Sequence, residues 1–211
     1  MKKMNLPNKL TVMRLCLVPV IMLVGMLPVI PFYVSCALCA VLFIFTALTD
    51  MLDGKIARKH GLVTDFGKFL DPVADKFMVI GTLFIILFKE EFSHLRVLMI
   101  FTLIIIVFRE LAVTSMRLVV STGEGIVVAA NSLGKIKTVA QIVFISTVFI
   151  EPILQLGIKK LVELAGITAP SWLATTIVPI TWATMAFTVI MTVWSGINYI
   201  ASYWKYLDPE K

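Results

Sequence analysis

Five aspartates, Asp50, Asp53, Asp65, Asp71 and Asp75, lie between positions 50 and 75 of a chain that is 59% hydrophobic and only 15% charged. Carboxylates at the edge of an apolar segment are costly unless they are paired or bind a cation, so the cluster points to function. If one helix continues to Arg58, Asp50 and Asp53 share a face at i and i+3, with Gly54 and Ala57 beside them. Asp71 and Asp75, at i and i+4, do the same on the next helix, one turn beyond Gly67. His60-Gly61-Leu62-Val63-Thr64 is short enough to make the two helices antiparallel neighbours, which lets four carboxylates converge. Two divalent ions would offset their mutual repulsion. All-oxygen ligands favour Mg2+ or Mn2+ over zinc or copper. Gly54, Ala57 and Gly67 leave room for a phosphate near the backbone, and Arg58 is placed to pair with one of its oxygens. Taken singly, these residues have plainer roles: Asp71 before Pro72 as a helix cap, Gly61 as a helix stop, and Lys55, Arg58 and Lys59 as membrane anchors. Those roles leave two acidic pairs on adjacent helices unexplained.

Written out, Asp50-x2-Asp53-Gly54-x2-Ala57-Arg58-x8-Gly67-x3-Asp71-x3-Asp75 resembles, at every motif position, the signature of the CDP-alcohol phosphatidyltransferase family. The resemblance implies a six-helix membrane fold and a metal-dependent reaction. An alcohol attacks the lipid-side phosphorus of CDP-diacylglycerol, and CMP is released. It implies Asp50, Asp53, Asp71 and Asp75 as ligands of two Mg2+ or Mn2+ ions, with Asp75 also the base that takes the alcohol's proton. It further implies that Gly54, Ala57, Arg58 and Gly67 line the CDP-lipid site, with Thr64 near the diphosphate. Asn8 and Thr11, in Leu6-Pro7-Asn8-Lys9-Leu10-Thr11, resemble the family's nucleotide-contacting segment, although both residue types also serve at helix starts. A homodimer is implied as well.

The acceptor must be read from outside the signature. Arg109, Glu110, Arg117, Lys135, Lys137, Thr138 and Gln141 gather near the same ends of two later apolar segments, with Arg109 and Glu110 two to three turns inside, where an unpaired charge is costly. Several cations beside a metal-bound diphosphate suit an acceptor that is itself a phosphate. The pattern Arg109-Glu110-x6-Arg117, then Gly134-Lys135-x-Lys137-Thr138-x2-Gln141, resembles the branch of the family whose acceptor is sn-glycerol 3-phosphate. Arg109, Arg117, Lys135 and Lys137 are therefore the expected acceptor-phosphate ligands. The plainer alternatives are an Arg109–Glu110 pair within the bundle and lysines anchored to anionic lipid. The same chemistry with inositol phosphate, serine or phosphatidylglycerol is a second possibility. A divalent-cation carrier is a third, of a different class. Carrier sites tend to lie at the midplane on broken helices within repeats, whereas these aspartates sit at one edge and no repeat is visible.

The elements that must hold these residues are membrane helices. A mean hydropathy of +0.97 excludes a soluble enzyme, a disordered chain and a nucleic-acid partner, because none would keep such surface in water. Leu15 to Thr49 is uncharged and would run about 52 Å as one helix, against a hydrocarbon core of about 30 Å. Pro28-Val29-Ile30-Pro31 supplies the break. The apolar pattern predicts an all-α integral membrane protein with six spans, near 10–29, 33–57, 69–88, 95–119, 134–155 and 176–203, and a loop with a short helix over 156–175. No linker divides it, so 1–211 reads as one membrane domain. Of the nineteen Lys and Arg behind the net charge of +6, all but Lys89, Arg96, Lys159 and Lys160 fall on the side of the termini. The positive-inside rule then puts both termini, and the active site, on the cytoplasmic side. Cys16, Cys36 and Cys39 lack the spacing of a metal or disulfide framework. The start, Met1-Lys2-Lys3, imitates a signal peptide, but Arg14 interrupts the apolar run and no cleavage pattern follows, so it reads as an uncleaved first helix. A bacterial inner membrane is the expected location.

Overall fold

Pro28 and Pro31 divide the first long apolar run as their chemistry predicts. Helix α1 spans Leu6–Met26 and α2 spans Phe32–Lys59. The computed structural model describes residues 5–59, 64–123, 132–166 and 179–204, and the side chains of Asp53, 55–59, Lys68 and 121–123 lie outside that description. Asn5 caps α1 by accepting the Asn8 N–H at 3.1 Å, and the Leu27 N–H closes the other end on the Leu23 carbonyl at 2.9 Å. Helix α3 follows over Asp65–Phe88, then a 3-10 turn over Glu90–Leu95, α4 over Arg96–Gly123, α5 over Ser132–Leu164 and α6 over Pro179–Tyr203. Among the described residues there is no strand.

Thr64 caps α3, accepting the Gly67 N–H at 3.1 Å. Asp71 therefore sits in the second turn and is not the cap, and Pro72 is inside the helix. Asp65 occupies the first turn, where the positive end of the helix dipole favours a carboxylate. Helix α5 runs through Pro152 to Leu164, so helix continues where a loop is expected from 156. A proline deletes one backbone hydrogen bond, which does not end a helix whose neighbours still pack. Among the described residues, five helices are long and apolar enough to cross a membrane, over Leu6–Met26, Phe32–Leu52, Glu90–Val120, Ser132–Leu164 and Pro179–Tyr203. Helix α3 has 24 residues, but Asp71, Asp75 and Lys76 make its first half charged.

Helix α1 packs on α2 and α3, α2 also on α5, and α6 on α4 and α5. The core gathers Phe43, Met78, Ile85, Phe92, Phe144 and Phe149, with the Phe92 and Phe149 rings edge to face at 6.4 Å. Glycine lets α1 and α3 approach: a Cβ at Gly25 would lie 2.4 Å from Ile85 Cγ2, and one at Gly81 2.8 Å from Val18 Cγ1. Outward faces are apolar, as at Phe101, Phe108 and Leu111, whereas Thr46, Thr82, Thr188 and Ser195 are buried. That is the arrangement lipid demands, since apolar faces need no burial there and polar atoms need partners. Thr82 donates to the Met78 carbonyl at 2.8 Å, and Thr188 of α6 to the Ala140 carbonyl of α5 at 3.0 Å. Glu151, a buried carboxylate to which the sequence assigns no role, accepts the N–H groups of Ile180 and Thr181 at 3.0 and 2.7 Å. It caps α6 from the flank of α5.

Candidate active site

The two acidic helices are held in register by α1. Arg14, fully buried in an otherwise apolar stretch of α1, forms an ion pair with Asp50 of α2. One turn earlier, Thr11 donates to Asp71 Oδ1 of α3 at 2.7 Å, while its hydroxyl also lies 3.1 Å from the Pro7 carbonyl. Asn8, one turn earlier again, accepts the Thr64 hydroxyl at 3.0 Å. A Cβ at Gly67 would stand 3.0 Å from Asn8 Oδ1 and 3.3 Å from Thr64 Oγ1. The close neighbour that needs a glycine there is thus Asn8 itself. Asn8, Thr11 and Arg14 follow at i, i+3 and i+6, one face of α1 turned to the signature.

Asp50, Asp71, Thr64, Gly67, Asn8 and Thr11 are brought to one end of the bundle. Gly54 is half-buried on α2. The side chains of Asp53, Ala57 and Arg58 lie outside the described residues, as do residues 60–63. Among the described residues, no group of three or more His, Cys, Asp and Glu is spaced to hold an ion; the side chain of Asp53 is not among them. What can be tested is the donor chemistry. Asp50, Asp71 and Asp75 present oxygen alone, from adjacent helices, with Arg14 and Thr11 already orienting two of them, and this set fits a hard divalent cation.

Asp75 faces a different set of partners. It lines a narrow cavity between α3, α4 and α5 with Lys76, Ile106, Glu110, Lys137 and Gln141. Lys137, buried, is ion-paired with Glu110, and Arg109 Nη1 reaches the same Glu110 oxygen at 3.2 Å. The expected Arg109–Glu110 contact is therefore present, but Arg109 is not absorbed by it. Its Nη2 donates to Ser195 Oγ of α6 at 2.6 Å, and Arg117 Nη2 donates to the Tyr199 hydroxyl at 2.5 Å. Lys135, two residues from Lys137 and so on another side of α5, is exposed and does not join them. Thr138 donates locally, to the Gly134 carbonyl at 3.1 Å.

This region is rich in donors and poor in acceptors. Arg109 and Lys137 meet at one carboxylate, Glu110, while Arg117 lies against Tyr199, and Asp75 is the second carboxylate on the cavity. Among the described residues, the buried Nε atoms of Arg109 and Arg117 and the Nε2 of Gln141 have no hydrogen-bond partner. Buried donors are almost always satisfied, and although the Nε atoms of Arg14 and Arg96 have no hydrogen-bond partner among the described residues either, only here do two such arginines and an unpartnered glutamine amide occur beside a buried lysine. Asp75 is the link between the two halves: one of the signature carboxylates, it also lines the cavity shared by Lys137 and Glu110, the partner of Arg109.

Three contributors are absent from the sequence expectations. Arg14 carries a readable signal, a charge within an apolar helix. Ser195 and Tyr199 carry none, since small polar and aromatic residues are ordinary on any membrane helix.

A family model described as CDP-alcohol phosphatidyltransferase matches residues 4–194. The chain is 38% identical, over 98% of its length and 98% of the relative's, to a Bacillus subtilis (strain 168) protein named CDP-diacylglycerol–glycerol-3-phosphate 3-phosphatidyltransferase. A Pectobacterium atrosepticum protein of the same name is 31% identical over 97% of this chain and 98% of its own. A third, from Rickettsia bellii, is 36% identical over 67% of this chain and 73% of its own.

Proposed function

The chain belongs to the CDP-alcohol phosphatidyltransferase family, and from that premise we propose that it transfers the phosphatidyl group of CDP-diacylglycerol to sn-glycerol 3-phosphate, giving phosphatidylglycerophosphate and CMP. The observation that carries the acceptor is the donor surplus around Glu110. The three cations Arg109, Arg117 and Lys137 outnumber the two carboxylates near them, Glu110 and Asp75, and a phosphate monoester supplies further acceptor oxygens. Serine brings one carboxylate that its own ammonium balances, whereas a phosphate monoester brings up to two net negative charges. The names of the three relatives agree with this acceptor.

Asp75 stands between the two substrates. The lipid-side phosphorus lies toward the signature, the acceptor lies in the cationic pocket, and Asp75 accepts the proton of the acceptor's free primary hydroxyl as that oxygen bonds to phosphorus. The bond from this phosphorus to the bridging oxygen breaks, and CMP leaves with that oxygen. Asp50, Asp53, Asp71 and Asp75 would hold two Mg2+ or Mn2+ ions, which when bound polarise the diphosphate and neutralise the leaving charge. Thr11 fixes the rotamer of Asp71, and Arg14 that of Asp50. Asn8, Thr64, Gly67, Gly54, Ala57 and Arg58 form the wall against the CDP group. Lys135, exposed on α5, serves acceptor capture at the mouth.

In this reading the chain is a single membrane domain over 1–211, with α3 as the sixth span. Its charged half lies at the cytoplasmic edge where Asp71 and Asp75 meet water. Both termini and the site face the cytoplasm of a bacterial inner membrane, on the positive-inside count. The protein is a homodimer in this proposal, checked by its mass in detergent.

The test is CMP release by purified protein with CDP-diacylglycerol, a panel of acceptors and Mg2+, beside a chelated control and Asp75→Asn. The expected result is CMP only with glycerol 3-phosphate and metal, lost in the variant. CMP with a different acceptor alone would overturn the acceptor, and metal uptake into vesicles with no CMP from any acceptor would overturn the enzyme.

A further inference from the structure

Tyr199 of α6 touches both arginines of the cationic pocket. Its ring centroid lies 5.6 Å from the Arg109 guanidinium carbon and 5.1 Å from that of Arg117, and its hydroxyl accepts from Arg117 Nη2. The residue is buried, and Tyr203, one turn on, stacks on it with centroids 6.2 Å apart and planes at 21°. Ser195, one turn before, holds Arg109 Nη2. A Cβ at Gly196 would lie 3.3 Å from Arg109 Cγ, so the helix leaves a channel for the arginine stem.

Two guanidiniums close to one aromatic ring repel each other, and among the described residues the ion pairs of Glu110 are with Arg109 and Lys137. The negative face of the ring offsets part of that repulsion without supplying a full charge. A carboxylate in its place would neutralise the arginines and compete with an anionic ligand. Phenol and hydroxyl groups fix one Nη of each arginine and consume no net positive charge. The Nε donors of both remain without a partner among the described residues. We propose that Tyr199 is the positioning residue of the acceptor-phosphate site, holding Arg109 and Arg117 in the geometry that receives a phosphate monoester dianion, with Ser195 as its second point of support. This deepens the function proposed above and rests on it.

The test is steady-state kinetics of the full-length protein in detergent with CDP-diacylglycerol and glycerol 3-phosphate, together with inhibition by inorganic phosphate. Tyr199→Phe removes only the hydroxyl and keeps the ring and the fold. It is expected to raise KM for glycerol 3-phosphate about tenfold, with kcat and KM for CDP-diacylglycerol within about twofold, and to weaken phosphate inhibition in parallel. Tyr199→Leu, which also removes the ring face, is expected to raise that KM further. A purely structural role would lower the thermal midpoint of Tyr199→Phe and disturb both KM values together, and that result overturns the proposal. So does an unchanged KM for glycerol 3-phosphate in Tyr199→Phe. Should Tyr199→Leu fail to fold, the phenylalanine variant decides alone. Wild-type protein that releases CMP only with an unphosphorylated acceptor overturns the function and this inference together, whereas active wild type with an indifferent Tyr199→Phe overturns only the inference.

Discussion

Arg14 of α1 and Asp50 of α2 form an ion pair in which the arginine side chain is wholly buried and the carboxylate is 37% exposed. A lone arginine in an apolar helix is tolerated only with such a partner, and the pair in turn aims Asp50. Arg14→Ala is expected to lower CMP release by about 10- to 100-fold. It should also destabilise the protein by about 2 kcal/mol, less than for a fully buried pair because Asp50 reaches solvent. Arg14→Lys should recover part of both. Wild-type turnover and thermal midpoint in Arg14→Ala would sink the idea.

Thr11 acts on Asp71 through a single hydroxyl at 2.7 Å. Thr11→Val keeps shape and volume but frees the carboxylate to rotate. The Mg2+ concentration for half-maximal rate should rise about tenfold, with little change in saturated kcat. A metal titration of the variant checks this, and an unshifted curve would assign Thr11 to packing alone.

Lys137 and Glu110 are buried together. Lys137→Met removes a cation from the acceptor pocket and leaves Glu110 to Arg109, so KM for glycerol 3-phosphate should climb by about 30-fold or more. KM for CDP-diacylglycerol should hold. Equal changes in both constants would show that the pair supports the fold and not the acceptor.

Glu151 has a different task, far along α5 from the cationic pocket. It satisfies two N–H groups at the start of α6 at 3.0 and 2.7 Å. Glu151→Ala leaves both unpaired in an apolar setting and should cost about 2 kcal/mol in detergent unfolding, with the KM values of the folded fraction unchanged. Unaltered stability would mean that the α6 terminus finds other partners.

Much of this was legible in the residues alone because it is local. Acidic pairs at i,i+3 and i,i+4 specify a shared helix face whatever the tertiary fold, and two prolines in four residues must interrupt a helix. A charge in an apolar run must find a partner, so Arg109 and Glu110 could be singled out without coordinates. Where the rule was permissive, expectation and structure diverged. Helix α5 runs on past 155 to Leu164, where a loop is expected, and Thr64 rather than Asp71 caps α3. Which partner each charge takes was decided only by packing. Ser195 and Tyr199 lie 86 and 82 residues from the arginines they meet, and Asp71 lies 60 residues from Thr11. In a bundle whose outer face is as apolar as its core, composition does not tell an inward tyrosine from a lipid-facing one. The periodicity of one helix carries the chemistry of the signature, but the rotation of α1 and α6 against their neighbours, which selects Arg14 and Tyr199 for the site, arises only when the helices pack.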